Sequence, residues 1–360
     1  MKFIGLVALA RGPELSTGRV PTESEVFRRA IDTAVFFEEL GFDGFGIGER
    51  HHPPFLATAP TVVLGYIAAV TSRIRLFTGV TLLSVLDPVR VAEDFATIDH
   101  LSGGRIELII GKGAGPDQTE LFGLTREQAR DALTEKFRLL HRLWTERGVT
   151  WSGTLRPDLH DVTTLPRPLQ SGPPHGRPRI WHGSSTSTES VDLAAEYGDP
   201  VMFSNASAPT EEYAWLAERY AKKWDEFGRE PAARHTGAGT PALYTARTSQ
   251  QALADYRPVY EARLRAQGGI PALPRFPTLE DFAERGPALV GSPAQIIDKV
   301  HRDAEHLGHT SLIFSTEPEG LAEARWRESH EIFASEVVPE LRRSIPDPPW
   351  PSTPSTPATP

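Results

Sequence analysis

The chain has 360 residues, with 38 Lys and Arg against 47 Asp and Glu, a formal net charge of −9 and no cysteine. An acidic chain without a long basic run is not expected to bind nucleic acid. The lack of cysteine excludes disulfides, thiol nucleophiles, iron–sulfur clusters and cysteine-ligated zinc. No apolar run reaches the ~18 residues of a transmembrane helix, and the start is typical of a β-strand rather than a signal peptide. We therefore expect a cytoplasmic globular protein that does not insert into a membrane.

In the first part of the chain, short apolar runs alternate with helical patterns. Strands are predicted at 3–9, 42–48, 74–83 and 105–111. Helices are predicted at 22–40, 61–70, 88–101 and 126–147. Gly41 follows the first helix as a C-terminal cap, and Pro88 opens the third helix, where proline is favoured.

The alternation continues after a short extended piece at 149–151 and a proline-rich loop. Strands are predicted at 179–183, 201–204, 242–246 and 310–314. Helices are predicted at 187–197, 210–227, 249–266, 293–307 and 320–341. A long Gly- and Pro-rich loop at 267–287, with a short helix near 278–284, is interpreted as a lid, because long loops in compact enzymes commonly cover a site.

Eight strand–helix units predict an α/β fold of the (β/α)₈ TIM-barrel type, with the lid inserted between strands 7 and 8. A doubly wound sheet is the alternative, but no G-x-G-x-x-G turn follows the first strand and no Walker-A loop is present. We expect a single barrel domain at 1–343. The segment 344–360 is predicted to be a disordered tail, because its last fifteen residues contain seven prolines.

The active site of such a barrel lies at the carboxyl ends of the strands. The second strand is followed by Glu49, Arg50, His51 and His52. This group offers general acid–base chemistry, since imidazole titrates near neutral pH. The alternative interpretation is a polar loop in which Arg and Glu pair. No metal site is expected, because there is no H-E-x-x-H pattern.

The fourth and fifth strands end in segments that resemble an anion site. Gly111-Lys112-Gly113 follows the fourth strand, and Gly183-Ser184-Ser185-Thr186-Ser187 leads from the fifth into a helix. Glycines allow close approach of the backbone, Lys112 supplies charge, and a helix N-terminus favours phosphate. Simple capping of the helix by Ser and Thr is the alternative.

Several motifs resemble the bacterial luciferase-like flavin monooxygenase family. The most specific is DHLSGGR at 99–105, running on to 111–113. Further matching segments are 41–43, 48–51, 71–76, 87–93, 122–123, 290–293 and 336–339. The resemblance covers about residues 1–343 and is most specific at 41–124.

The resemblance implies a (β/α)₈ barrel that binds reduced FMN supplied by a separate flavin reductase. Oxygen would add to this flavin to give a peroxyflavin, which oxidises a small hydrophobic substrate in a Baeyer–Villiger-like or hydroxylating reaction. The protein would hold the flavin and exclude water. The family also implies a homodimer formed through early barrel helices.

The resemblance also implies roles for individual residues. Lys112 stands where the family has an arginine on the flavin phosphate, and Arg50 stands where it has a catalytic histidine, so that His51 or His52 would take over. Gly79-Val80 matches a strand-end cis peptide against the isoalloxazine ring. The cofactor-binding set implied in this way is Gly79, Val80, Lys112, Gly113, Gly183, Ser184, Ser185, Thr186, Ser187 and Ser190.

Two other functions remain open on the sequence. The same fold serves the deazaflavin F420, and an F420-dependent enzyme would transfer hydride without oxygen. A non-catalytic flavin-binding protein is the other alternative, against which the polar group at 49–52 argues.

Overall fold

The computed structural model describes residues 1–15, 17–113, 116–170, 176–265, 275–316 and 320–348. Its strands, in chain order, are Lys2–Val7 (β1), Gly44–Ile47 (β2), Arg75–Thr81 (β3), Ile106–Ile110 (β4), Val149–Trp151 (β5), Leu159–Val162 (β6), Ile180–Ser184 (β7), Val201–Phe203 (β8), Thr236–Thr240 (β9), Leu243–Thr245 (β10), Leu289–Gly291 (β11) and Ser311–Ser315 (β12).

Eight of these strands close into a parallel barrel in the order β1-β2-β3-β4-β7-β8-β9-β12. The remaining strands form two small pairs, antiparallel β5–β6 and parallel β10–β11. The predicted (β/α)₈ barrel is thereby confirmed.

Helices surround the barrel between its strands. They are Glu23–Glu39 (α1), Pro60–Val70 (α2), Pro88–Ser102 (α3), Pro116–Glu120 (α4), Arg126–Thr145 (α5), Thr188–Tyr197 (α6), Ala214–Glu226 (α7), Ser249–Arg265 (α8), Leu279–Glu284 (α9), Pro293–Leu307 (α10), Glu323–Ile332 (α11) and Val338–Ser344 (α12). A 3₁₀ turn precedes α7 and a π-helical turn joins α11 to α12. None of the helices in the described ranges has the length and apolarity needed to cross a bilayer.

Local sequence sets the helix boundaries. Thr22 caps α1 through a reciprocal capping box with Glu25, and Asp87 caps α3 by accepting from the Val89 N–H at 2.8 Å. Gly103 ends α3 in the left-handed conformation at φ 66°, which glycine adopts without steric cost. The motif at 99–105 therefore contains the turn that returns the chain from α3 into β4.

Large side chains fill the barrel interior. Its buried cluster consists of Ile4, Phe77, Ile109, Trp181, Met202 and Ile313, one from each of six strands. Neighbouring strands carry glycine beside two of these residues: a Cβ on Gly44 would lie 2.5 Å from the Phe77 ring, and one on Gly237 would lie 2.2 Å from Met202 Cε. The large residues fit because their neighbours have no side chain.

The seventh barrel strand was predicted at 242–246, and this is wrong. The barrel strand is β9, which pairs with β8 and β12, whereas 242–246 contains β10, which pairs with β11 outside the barrel. The sequence of β9 is TGAGT and lacks an apolar run, because Met202 and Trp181 fill the interior beside Gly237. The more apolar β10 belongs to a separate small core with α8 and α9.

The lid remains a prediction, because residues 266–274 lie outside the described ranges. The described remainder of the predicted lid contains α9. Phe276 and Phe282 pack there against Tyr260, and buried Lys299 donates to the carbonyl oxygens of Ala283, Gly286 and Ala288.

The predicted tail lies mostly beyond the described ranges, which end at 348. At its start, the Ile345 carbonyl accepts from the N-terminal ammonium of Met1 at 2.5 Å, and Asp347 lies 4.0 Å from Lys2. Residues 344–348 thus pack at the N-terminal end of the barrel.

Candidate active site

A layer of glycine marks the carboxyl end of the barrel. Gly79, Gly111 and Gly183 each follow by two positions a side chain of the interior cluster: Phe77, Ile109 and Trp181, respectively. Because strand side chains alternate with a period of two, these glycines face the same interior. Above the packed cluster, Leu6 occupies the space that a Cβ on Gly79 would need, and both Leu6 and Val80 are only partly buried there.

Val80 lies over two of these glycines. A Cβ on Gly111 would be 3.0 Å from Val80 Cγ2, and one on Gly183 would be 3.4 Å from Val80 Cγ1 and 3.1 Å from the Ile110 carbonyl oxygen. The Gly79–Val80 peptide is cis, as the resemblance implies, and the register between β3 and β4 shifts there. Val80 is thus directed between the ends of β4 and β7.

Glu49 joins two strand ends. It follows β2 and is buried, with one carboxylate oxygen accepting from the Leu82 N–H at 2.8 Å and the other 2.9 Å from His51 Nε2. Burial raises the pKa of the Glu49 carboxyl, and the Leu82 N–H and His51 oppose this by stabilising the charged form. The carboxyl and imidazole therefore form a pair that holds a proton between them.

His51 is oriented by this pair and by an aromatic neighbour. Its ring meets Phe122 edge-on, with centroids 4.9 Å apart. When Nε2 faces Glu49, Nδ1 is the ring nitrogen left for another partner, and no described residue hydrogen-bonds it. The arrangement suits a proton carrier whose second nitrogen faces a ligand.

Arg50 and His52 point to other surroundings. The Arg50 guanidinium lies over the Phe55 ring, 4.5 Å from its centroid, and among the described residues no carboxylate is within ion-pair distance. Burial lowers the pKa of Arg50, but arginine stays charged in proteins. The His52 ring bonds the Pro53 carbonyl at 3.0 Å and meets Phe55 edge-on. The structure thus brings together Glu49 and His51, but not His52.

Three buried serines at the start of α6 form what we call the serine cradle: Ser184, Ser187 and Ser190. Ser184 Oγ donates to the Ser187 carbonyl and accepts from its N–H. Ser187 Oγ accepts from both the N–H and the hydroxyl of Ser190. The intervening Ser185 and Thr186 are exposed. The hydroxyl and N–H groups of the cradle therefore bond to one another at the positive end of a helix dipole, which leaves Ser185 and Thr186 as the exposed hydroxyls there.

The loop after β4 lies beside this cradle. Glu189 lies in the first turn of α6, and hydrogen bonds from its own N–H and from the Ser187 hydroxyl lower the pKa of its carboxyl. The nearby charges of Arg130 and Lys112 lower this pKa further, so Lys112 lies close to Glu189. Gly113 has φ +86°. Gln118 is buried against Gly113, and its side-chain oxygen has no hydrogen-bond partner. The two segments predicted as an anion site are therefore adjacent.

Sequence reasoning missed four contributors. Gln118, Arg130 and Glu189 stand in no sequence pattern that marks them as functional, and Phe122 lies in a segment that matches the family but had no role predicted for it. Only the closeness of Glu189 to the serines could have drawn attention to it.

Comparison with known proteins supplies the family. The model of the luciferase-like monooxygenase family matches residues 1–311 of the 360. The chain belongs to the luciferase-like monooxygenase family. The resemblance inferred from its motifs is confirmed, and the protein is accordingly an oxidoreductase enzyme.

Curated relatives of this luciferase-like chain differ in cofactor. It is 27% identical to 4-hydroxyprotoasukamycin monooxygenase of Streptomyces nodosus subsp. asukaensis, over 88% of this chain and 87% of the relative. It is 30% identical to F420-dependent glucose-6-phosphate dehydrogenase of Kineococcus radiotolerans, over 87% of this chain and 93% of the relative. Family membership therefore does not decide between FMN and F420.

Solved structures show the shared barrel. The monooxygenase RslO1 of Streptomyces bottropensis matches with a TM-score of 0.82 and 24% identity, over 94% of this chain and 99% of the other. The oxygenating constituent of 3,6-diketocamphane monooxygenase from Pseudomonas putida, solved in complex with FMN, matches with a TM-score of 0.75 and 20% identity, over 96% and 99%.

The luciferase-like site fits a flavin-type cofactor on its own geometry. The glycine layer lets Leu6 and Val80 lie close against the strand ends, and these partly buried apolar side chains offer a surface to a flat ring. The exposed Ser185 and Thr186 offer donors to a phosphate, and Lys112 offers charge. The unpartnered oxygen of Gln118 can accept from a ligand donor. In the described residues no cluster of three or more His, Asp or Glu is arranged to hold a metal ion.

The contact of Val80 with Gly111 predicts a coupled pair. We expect Gly111→Ala to lower the free energy of unfolding by about 1–3 kcal/mol, because the new methyl group overpacks against Val80. Val80→Ala in the same chain is expected to recover part of this loss, which a denaturant double-mutant cycle measures.

Gly183→Ala is the matched control, since its new methyl group meets the Ile110 carbonyl oxygen first. Val80→Ala is expected to recover less of that loss. Equal recovery at both glycines, or recovery at neither, would contradict the packing described for Val80.

Proposed function

We propose that this enzyme is a two-component monooxygenase, which takes reduced FMN from a separate flavin reductase and uses O₂ to oxidise a small hydrophobic molecule. A Baeyer–Villiger-like insertion or a hydroxylation is the reaction class. The observation that carries the proposal is the placement of the glycine layer, the serine cradle and the oriented Glu49–His51 pair at the same end of the barrel. With no cysteine in the chain, we place the enzyme in the cytoplasm.

Binding of the cofactor falls to the two anion segments. Lys112 attracts a phosphate as a point charge, whereas an arginine would hold it bidentately. Ser185 and Thr186, both exposed, are the donors that a phosphate at α6 would use first, because the hydroxyls of the cradle already donate within it or to Glu189. Gly79 and Val80 would border the ring, and Gly113 and Gly183 would lie beside it at the ends of β4 and β7.

Proton transfer falls to His51. Reduced flavin supplies the two electrons that allow one oxygen atom of O₂ to enter the substrate and the other to leave as water. His51, held by Glu49, exchanges a proton through Nδ1. The Arg50 charge, unpaired by any described carboxylate, stabilises negative charge that develops at the mouth.

Exclusion of water is assigned to the segment 267–287. Its described part begins with Arg275, which pairs at 2.9 Å with Glu212 in the turn after β8. The turns after the strands lie at the carboxyl end of the barrel, so this end of the segment reaches the side on which the site lies.

A cofactor and oxygen experiment tests the proposal. Reduced FMN and reduced F420 are titrated without oxygen, and the complexes are then mixed rapidly with O₂ while absorbance spectra are recorded. We expect reduced FMN to bind and to reoxidise through a long-lived spectral intermediate. Binding of F420 alone, or reoxidation without an intermediate, would contradict the monooxygenase proposal.

F420-dependent hydride transfer is the second candidate, and Arg130 is the observation that favours it. Arg130 gives the phosphate end of the site a cation besides Lys112, and the acidic tail of F420 requires such groups. The relative from Kineococcus radiotolerans uses that cofactor by its name. Turnover without oxygen, with F420 reduced as substrate is oxidised, would establish this candidate.

His51 and His52 are expected to differ in their effect on turnover. Because Glu49 orients His51, we expect His51→Ala to lower kcat by about 10²–10⁴-fold, the range for loss of a general acid–base. His52→Ala serves as the control and is expected to change kcat little, since its ring bonds the Pro53 carbonyl. Single-turnover oxidation by preloaded reduced FMN measures both, and the reverse order of effects would refute the assignment.

We further propose that the protein is a homodimer whose interface includes α2. Val62, Tyr66 and Val70 recur at helical spacing and are 72%, 59% and 44% exposed. Gly65 beside them has open space where a Cβ would stand. An exposed apolar stripe of this kind marks a protein interface.

Tyr66→Glu is expected to convert the dimer into a monomer, because it places a charge in an apolar interface. Light scattering after gel filtration measures the mass. Trp215→Glu, at an exposed aromatic residue of α7, is the control and should leave the dimer intact. A wild-type monomer, or a dimer that persists with Glu at position 66, would refute this interface.

A further inference from the structure

Glu189 occupies an unusual place for an acidic residue. It stands in the first turn of α6, where the proposed function puts the phosphate of the cofactor. Its carboxylate accepts a hydrogen bond from the Ser187 hydroxyl at 3.1 Å. An anion that belongs to the protein thus already lies at the positive end of this helix.

The Ser187 hydroxyl cannot serve two anions. A hydroxyl has one proton to donate, and Ser187 Oγ already accepts from the N–H and the hydroxyl of Ser190. Its proton goes to Glu189. A phosphate that takes this donor must first displace the carboxylate.

The nearby cations are shared as well. Arg130 and Lys112 lie close enough to Glu189 to stabilise its charge. Lys112 lies between Gly111 and Gly113, and Glu189 offsets part of its charge before a ligand binds. Glu189 thus interacts both with the Ser187 hydroxyl and with the cations that a phosphate at this site would need.

We propose that Glu189 is an internal competitor of the cofactor phosphate, which lowers the affinity of the site for phosphorylated flavin and sets how readily the cofactor exchanges. The inference rests on the proposed function, since it takes α6 as the phosphate site. Glu189 acts on binding and not on the reacting atoms, so that the equilibrium for FMN is the property it controls.

Two variants test this by equilibrium titration under anaerobic conditions with reduced FMN and reduced riboflavin, which lacks the phosphate. Glu189→Gln removes the charge and keeps an acceptor for Ser187, whereas Glu189→Ala removes both. We expect Glu189→Gln to lower the Kd for FMN severalfold and Glu189→Ala to lower it by about tenfold, as one lost charge–charge repulsion near a protein surface allows. The Kd for riboflavin should not change.

Glu196→Gln is the matched control. It removes the same charge from the last turn of the same helix, about 10 Å along the axis, where the charge is screened and pairs with Arg138. We expect it to leave the Kd for FMN unchanged. Glu189 is exposed, so the variants should fold, with the thermal midpoint lowered only by the loss of one favourable charge at a helix N-terminus.

The outcomes separate the two proposals. If wild type binds reduced FMN and the Glu189 variants bind it with the same Kd, the role of Glu189 is overturned while the FMN proposal stands. An equal gain for riboflavin would also overturn it, because the effect would not involve the phosphate. If neither wild type nor the variants bind FMN, the proposed function itself fails.

Discussion

The structure depends on how its barrel is filled. A closed barrel of eight strands has room for only a few layers of interior side chains. Here six large residues fill the middle, and two of them, Phe77 and Met202, require a neighbour without a side chain. The Phe77 ring would collide with a Cβ at position 44, and Met202 with one at position 237. Glycine then recurs two positions further on, at Gly79, Gly111 and Gly183, where Leu6 and Val80 pack at the mouth. The packing of the core and the surface at the mouth thus follow from one pattern of large and absent side chains.

The same pattern decides what the sequence could predict. Seven barrel strands carry enough apolar or β-branched residues to be recognised, and capping residues such as Thr22, Asp87 and Gly103 mark the helix boundaries between them. The remaining barrel strand, β9, is mostly Gly and Thr, because Met202 fills the interior space beside it. The apolar pattern therefore predicted the barrel strand at the adjacent β10, whose apolar residues pack into a separate core. The sequence of one strand does not show which side chains of its neighbours fill the interior beside it.

The candidate site was predictable by position but not by contact. The barrel rule places 49–52, 111–113 and 183–187 at one end, and the structure brings them there. The sequence could not tell His51 from His52, because both follow the same strand. Glu49 makes the difference: its carboxylate reaches from the Leu82 N–H to His51, and Phe122 meets the other side of that ring. These partners come from three strand ends and have no fixed spacing in the chain.

Two residues at the mouth of the barrel have the same effect on the binding of an anion. A site built only for tight retention of a phosphate would place an arginine in its glycine turn and keep carboxylates away from the helix N-terminus. This chain has Lys112 in the turn and Glu189 in the first turn of α6. Each choice weakens the hold on an anion while the cradle's geometry is kept. Under the proposed function, in which the reduced cofactor comes from another protein and departs oxidised, such a balance is favourable, because slow release would limit each turnover.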